Sequence, residues 1–454
     1  MSETDFSALR ERVRGRVTVA GEEAWEADRQ PWALAADLRP AAVAFPLDAE
    51  DVRAVVAFAR QAGLRVAAQG TGHGAFPLED LSGSVLVKMT EMGGVEVDAS
   101  ARRARAGAGA LSRDVMGAGA EHGLAGLCGS SPDVGIVGYS LGGGVGWLGR
   151  KHGFQANAVT SVELVDAAGD LVKVDAESDP DLFWALRGGG GGFGVVTAIE
   201  FDLLPLSEVY AGIMAWPWER SEEVLKAWAE WAPEAPEEIT TSARILQFPP
   251  IPELPDFLRG RSLVMIDGAH CGDAADAEKE LARFRDLGPE LDMWQAMPAA
   301  GLVQVHGDPE QPTPAASNHR MLRELPPEAV EAFVGVAGPG SGSPLIFSEL
   351  RQFGGALSRR PEGGGAIGAL EDPFCLFALG MVIDPESAKA VAAHAEKVCE
   401  EMSPWASDRE YYNFAENPGE YASYFDGADA ARLLEVRAKA DPDGIFQPNH
   451  AMQA

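Results

Sequence analysis

Val66-Ala-Ala-Gln69-Gly70-Thr71-Gly72-His73-Gly74 is the stretch on which the reading of this chain turns. An apolar run enters it, three glycines punctuate it, and one histidine sits among them. Glycines let backbone N–H groups close around a phosphate with no Cβ in the way. Phosphate binding alone does not require an imidazole at that point. An imidazole is a competent nucleophile and can carry a covalent cofactor. The plainer reading is a tight surface turn with an incidental histidine. On this stretch alone both readings stand.

Four more segments extend the pattern. Residues 131–135 read Ser131-Pro132-Asp133-Val134-Gly135, and 138–149 carry Gly138, Tyr139, Gly142, Gly143, Gly144, Gly146 and Gly149. Arg187 opens a glycine run over 188–194 that leads into Val195-Val196. Near the end come Tyr411-Tyr412-Asn413-Phe414 and Asp441-Pro442-Asp443-Gly444-Ile445-Phe446. Two glycine patterns, starting at Gly144 and Gly189, match the dinucleotide fingerprint. Neither follows a strand-like run, so neither fits a βαβ nucleotide site.

In this order the segments resemble the FAD-linked oxidases of the berberine-bridge-enzyme-like group, with a vanillyl-alcohol-oxidase or PCMH-type flavin domain. The resemblance runs from about residue 39 to the C-terminus. It implies an α+β fold of two domains. Residues 1–207 would bind FAD and residues 208–407 would bind substrate on an antiparallel sheet. Residues 408–454 would return to the flavin domain.

The bulk properties agree with a folded enzyme. A chain of 454 residues with 46% hydrophobic and 23% charged residues has ordinary globular usage. A net charge of −32 repels nucleic acid and anionic membrane surfaces and favours solubility. The four cysteines are widely spaced, so no zinc site or disulfide framework is expected. No window reaches the ~18 apolar residues of a membrane span, and the first residues lack a signal-peptide pattern. A cytoplasmic protein with no metal and a small-molecule substrate is expected.

Local patterns place the motifs. Residues 1–38 suggest a helix and a loop. Strands are expected at 42–46, 64–68, 84–88 and 94–97, with a helix at 51–62 capped by Asp48 and helical residues over 111–122. The pair 162–166 and 171–174 reads as a hairpin. Beyond 208, strands are expected at 211–215, 240–247, 262–267, 345–349 and 374–382. Helices are expected at 220–231, 273–286 and 386–401. Residues 304–320 look like a loop over a site.

The resemblance then implies roles. FAD would be held by Gln69, Gly70, Thr71, Gly72, His73 and Gly74, and by Ser131, Pro132, Val134, Gly135, Gly138 and Tyr139. Gly142, Gly143, Gly144, Gly146, Val195, Val196, Tyr411, Asn413 and Asn449 complete that set. His73 would bond covalently to the 8α-methyl carbon of the flavin. Many relatives add a cysteine bond in a Cys-Pro-Thr-Val-Gly motif. Here Ser131 takes the cysteine's place, so a single attachment is expected, and Cys128 reads as a small buried hydrophobe.

Tyr411 holds the first position of a Tyr-x-Asn motif and would act as base. A phenol ionises near ~10, and a flavin and a polar partner would ease that ionisation. Asn413 would bond the flavin or fix its own segment. Val134 would border the oxygen path, where a valine goes with oxidases and a bulkier residue with dehydrogenases. Glu349, Arg351 and Gln352 read first as surface and cross-strand pairs and second as pocket lining. The implied activity is hydride abstraction from an alcohol or amine carbon, with electrons passed to O2 to give H2O2. A dehydrogenase with another acceptor and a non-enzymatic ligand-binding protein remain as alternatives.

Overall fold

The computed structural model describes residues 4–452 apart from 79, 253, 255 and 257. Its first layer forms around the quoted stretch. Asp48 accepts from the N–H groups of Glu50 and Asp51 and starts the helix Ala49–Ala62. Val52, Val55, Val56 and Ala59 bury one face of that helix, and Gly63 ends it at φ 67°. The helix crosses between Ala42–Phe45 and Arg65–Gln69, which lie parallel on either side of Ser84–Lys88. The loop 70–74 therefore leaves the carboxyl end of a parallel strand, where open sheets of this kind bind ligands. The described part of residues 1–38 holds two elements beyond the expected helix and loop, the short helix Trp25–Asp28 and a strand. The strand Arg16–Thr18 pairs antiparallel with Ala42–Phe45, and three residues are too few to show a period.

A second sheet runs in the order Val95–Asp98, Arg103–Gly107, Val195–Asp202, Val159–Val165, Leu171–Val174. Arg103–Gly107 is thus a strand, where the sequence suggested only a glycine-rich lead into a helix. That helix is Ser112–Ala120. The C-terminal segment joins the first sheet: Val66 N–H donates to the Ile445 carbonyl and Gln447 N–H to the Val66 carbonyl, each at 2.8 Å. Asp441 supports this return by accepting from the N–H groups of Ile445 and Phe446.

The third sheet has eight strands among the described residues, and all its pairs are antiparallel. Because side chains alternate along a strand, its two faces differ. Ala243, Ile245, Val264, Ile266 and Leu350 join the apolar core beneath Ser221–Trp231, Ala274–Arg285, Pro327–Ala337 and Pro385–Glu401. The other face carries Ser242, Arg244, Asp267, Glu349 and Arg351, brought side by side by the register. Two expectations are corrected here. Residues Ala315–Leu322 are a strand beside Phe374–Met381, not part of a loop, and Pro327–Ala337 is a further helix. Ala-Ala-Ser-Asn-His-Arg has no apolar alternation to betray a strand, because polar residues fill buried positions of it.

Arg150 ties the glycine-rich region to this third sheet. Its buried guanidinium donates to the carbonyls of Ile239 at 2.9 Å, Ala235 at 2.8 Å and Phe353 at 2.6 Å. Burial pulls its pKa down to about 10. Arg150→Met leaves those carbonyls buried and unpaired, at ~1–3 kcal/mol each. We expect a loss of about 3 kcal/mol or more, read as a lower urea midpoint; an unchanged midpoint would mean that other contacts hold the two regions together.

Candidate active site

The loop 70–74 is held by the segment between the strands Arg16–Thr18 and Ala42–Phe45. Trp32 N–H donates to the Thr71 carbonyl at 3.0 Å and Ala33 N–H to the Gly72 carbonyl at 3.4 Å. Gly72 has φ 92°, and a Cβ there would lie 2.7 Å from Pro31, so no other residue fits. The turn presents His73 with Nδ1 hydrogen-bonded and Nε2 facing a carboxylate beyond hydrogen-bond distance. Thr71 Oγ1 lies 2.7 Å from Nδ1, and Asp133 Oδ1 lies 3.6 Å from Nε2. The Trp32 ring stacks on the imidazole at 4.0 Å between centroids. Burial works against the Asp133 carboxylate, but His73, Ser131 and Trp32 hold it below the usual carboxylate range.

Other predicted residues surround this turn. Gly135 packs beside Thr71, and Gly74 beside the Asn449 amide. Asn449 Oδ1 accepts from the Tyr412 hydroxyl at 2.7 Å. Ser131 Oγ donates to Asp133, and the Pro132 and Val134 carbonyls accept from the N–H groups of Arg113 and Ser112. Val195 and Val196 are buried in the strand Val195–Asp202. Pairing on the side of Arg103–Gly107 stops where Ala108 N–H donates to the Thr197 carbonyl. Val195 and Val196 lie beyond that point.

The 138–146 region meets the Tyr411 segment. The Asn413 amide donates to the Tyr139 carbonyl at 3.0 Å and to the Tyr411 hydroxyl at 3.3 Å. Asn413 therefore fixes its own segment, one of the two roles expected for it. Gly142 lets Asn413 approach this closely, since a Cβ would fall on its Oδ1. Gly144, at φ 80°, packs on the Tyr139 ring, Gly143 on Ile367, and Gly146 on the Cys128 carbonyl. The N–H groups of Gly144 and Val145 also face the Tyr411 phenol. Burial raises the Tyr411 pKa well above the ordinary value, and Asn413, Gly144 and Val145 offset that in part.

Comparison with known proteins interprets this arrangement. Residues 40–175 match the family described as an FAD binding domain. The BBE-like 1 protein of Physcomitrella patens superposes with a TM-score of 0.85 at 18% identity over 99% of both chains. The chain is an FAD-binding protein with the berberine-bridge-like fold. (R)-6-hydroxynicotine oxidase of Paenarthrobacter nicotinovorans is 31% identical over 286 residues, 61% of this chain. The chain spans 59% of that relative's length in the match. The grass pollen allergen Phl p 4, a glucose dehydrogenase, and an isoleucine-to-valine variant of it, a glucose oxidase, share the fold. Their TM-scores are 0.80 and 0.81 at 20% and 21% identity, over 98% of both chains in each case.

The residues of this FAD-binding protein suit that cofactor. Both amide atoms of Gln69 and the Nε2 of His73 are buried with no hydrogen-bond partner. Gly138 and Gly191 have open space where a Cβ would sit. Unspent polar atoms and uncovered backbone are what a ring-and-diphosphate ligand needs from its host. The two fingerprint-like glycine runs follow the helices Ile136–Leu141 and Pro180–Leu186, so neither follows a strand.

A wall of buried charge closes the other side. His306 Nδ1 lies 2.7 Å from Asp267 Oδ2, and its Nε2 lies 3.2 Å from Glu349 Oε2. Arg244 pairs with Asp267 at 2.7 Å, and Arg351 pairs with Glu349. The Arg351 guanidinium lies over the Trp147 and Phe414 rings and reaches Ser130 Oγ at 3.5 Å. The surface reading of Glu349, Arg351 and Gln352 is thus corrected: their exposures are 1%, 7% and 1%. Burial opposes the Glu349 charge, yet Arg351 and His306 hold its pKa far below the carboxylate range.

Trp32 and Asp267 carry no signal in the sequence, since each comes from a separate, unremarkable segment; His306 lies in the stretch 304–320 expected to form a loop over a site. Asp133 stood inside a quoted motif, but its partners come from residues 32 and 73.

Proposed function

We propose that the protein is an FAD-dependent oxidoreductase. It removes hydride from an alcohol- or amine-bearing carbon of a small molecule or sugar and passes the electrons to O2, giving H2O2. Bound FAD supplies the hydride acceptor. Residues 1–207 with 408–454 hold the cofactor, and 208–407 provide the substrate side. The observation that carries the reading is Tyr411, a buried phenol ringed by the Asn413 amide and two backbone N–H groups beside the glycine cradle. Such donors stabilise the phenolate that forms as the phenol gives up its proton, so Tyr411 can take the proton of the substrate's O–H or N–H. The sheet wall with Arg351 and Trp147 bounds the substrate and excludes water. The hydroxynicotine oxidase and the glucose-oxidising Phl p 4 support amine and sugar donors as the classes to screen.

The flavin is attached once, through His73. Ser131 is spent on Asp133, and burial pushes the Cys128 thiol up to about 12, which leaves it a poor nucleophile. Four free cysteines support a reducing, cytoplasmic setting. Among the described residues no helix is long and apolar enough to cross a membrane. The test is an anaerobic screen of alcohols, sugars and amines that watches flavin bleaching. A purified protein that is colourless and takes up no FAD overturns the enzyme reading in favour of a simple binding protein.

Val134 supports the choice of oxygen as acceptor. It is half-buried between Asp133 and Gly135. In Phl p 4 an isoleucine-to-valine change separates the dehydrogenase from the oxidase. Packed interiors leave few voids wide enough for dioxygen, and one methylene can close one. Val134→Leu is expected to slow stopped-flow reoxidation at least tenfold while leaving substrate reduction nearly unchanged. If the wild-type reduced flavin meets oxygen no faster than free reduced flavin, the dehydrogenase reading replaces the oxidase.

A further inference from the structure

Asp133 is buried to 5% exposure, and among the described residues its one ion-pair partner is His73. Among the described residues no lysine or arginine pairs with it. A buried carboxylate without a cation is costly unless a neighbour becomes positive. Ser131 Oγ donates to Oδ1 at 2.8 Å and the Trp32 indole N–H donates to Oδ2, which aims the carboxylate. It lies against Nε2, while the Thr71 hydroxyl lies against Nδ1. An anion beside Nε2 draws the imidazole proton to that nitrogen and leaves the lone pair on Nδ1. Trp32 stacks on the ring at 4.0 Å between centroids and fixes its plane.

We propose that Asp133 is the positioning base that makes His73 nucleophilic for its own covalent attachment to FAD. The inference rests on the reading of His73 as the attachment point. The new bond joins Nδ1 to the 8α carbon, and one C–H bond of that methyl group breaks, its proton passing to water and its electron pair staying with the flavin. Asp133 takes the Nε2 proton as the ring becomes positive. The electron pair passes into the isoalloxazine, and dioxygen then removes it. One imidazole N–H, one methyl C–H and one O2 are consumed, and one H2O2 leaves.

The full chain made in flavin-depleted cells is mixed with FAD in air, and acid-stable flavin is followed in time. Asp133→Asn should bind FAD yet attach it at least 100-fold more slowly, and Asp133→Glu should recover part of the rate. A purely structural role would lower FAD binding and attachment together. Wild type that binds FAD but never holds it through acid overturns the attachment reading itself. Wild type that attaches, with Asp133→Asn within threefold of it, overturns the role of Asp133 alone. A second measurement needs no folded variant at position 133. In 15N-histidine-labelled flavin-free wild type, the His73 signal, identified by its loss in His73→Ala, should report a proton on Nε2 and none on Nδ1. The opposite tautomer overturns the proposal.

Discussion

His73→Ala is expected to abolish acid-stable flavin altogether. Wild-type protein precipitated with acid should stay yellow and give one fluorescent band in a denaturing gel, and the variant should give neither. The imidazole is the one nucleophile that the loop presents. It is also fastened on three sides, by Thr71, Trp32 and Asp133, so its direction is set before any ligand arrives. The variant should still bind FAD reversibly, because Gln69 and the backbone around Gly138 and Gly191 are untouched. A flavopeptide from tryptic digestion that maps to Cys128 refutes single attachment. The raised pKa of that thiol speaks against this result.

Tyr411→Phe should leave the flavin bound and slow its anaerobic reduction by ~10²–10⁴-fold, about 3–5 kcal/mol of barrier. The pH dependence follows from the direction of the shift. Burial raises the phenol's pKa, so the base form is scarce at neutral pH and grows with pH through the alkaline range. In wild type the limiting reduction rate should therefore climb with pH and not level off by about pH 10. The profile of Tyr411→Phe should be flat. A wild-type plateau near neutrality, or an unchanged rate in the variant, removes Tyr411 from the proton transfer. Suspicion then falls on Glu349 and His306.

Much of this was legible beforehand. The capped helix Ala49–Ala62, the strands around it and the hairpin of Val159–Val165 with Leu171–Val174 follow from short-range periodicity and capping, which act within a few residues. The strand Ala315–Leu322 was not legible, because polar residues such as Ser317, Asn318 and His319 occupy buried positions in it. Tyr411 was found by motif, but the burial and the donors around its phenol were not. A pKa depends on burial and on donors such as Gly144 and Val145, which lie far away in the chain.

By itself, the sequence determined the glycine loops, the single histidine among them, the serine at the second anchor and the Tyr-x-Asn segment. Each is a local pattern of residue types. Tertiary structure alone decided that Trp32 and Asp133 hold His73. It also decided that Arg244, Asp267, His306, Glu349 and Arg351 form one buried network, and that Arg150 clamps two regions through three carbonyls. These depend on charge meeting charge across large sequence separations. Only the packing of sheets and the register between strands bring such groups within bonding distance.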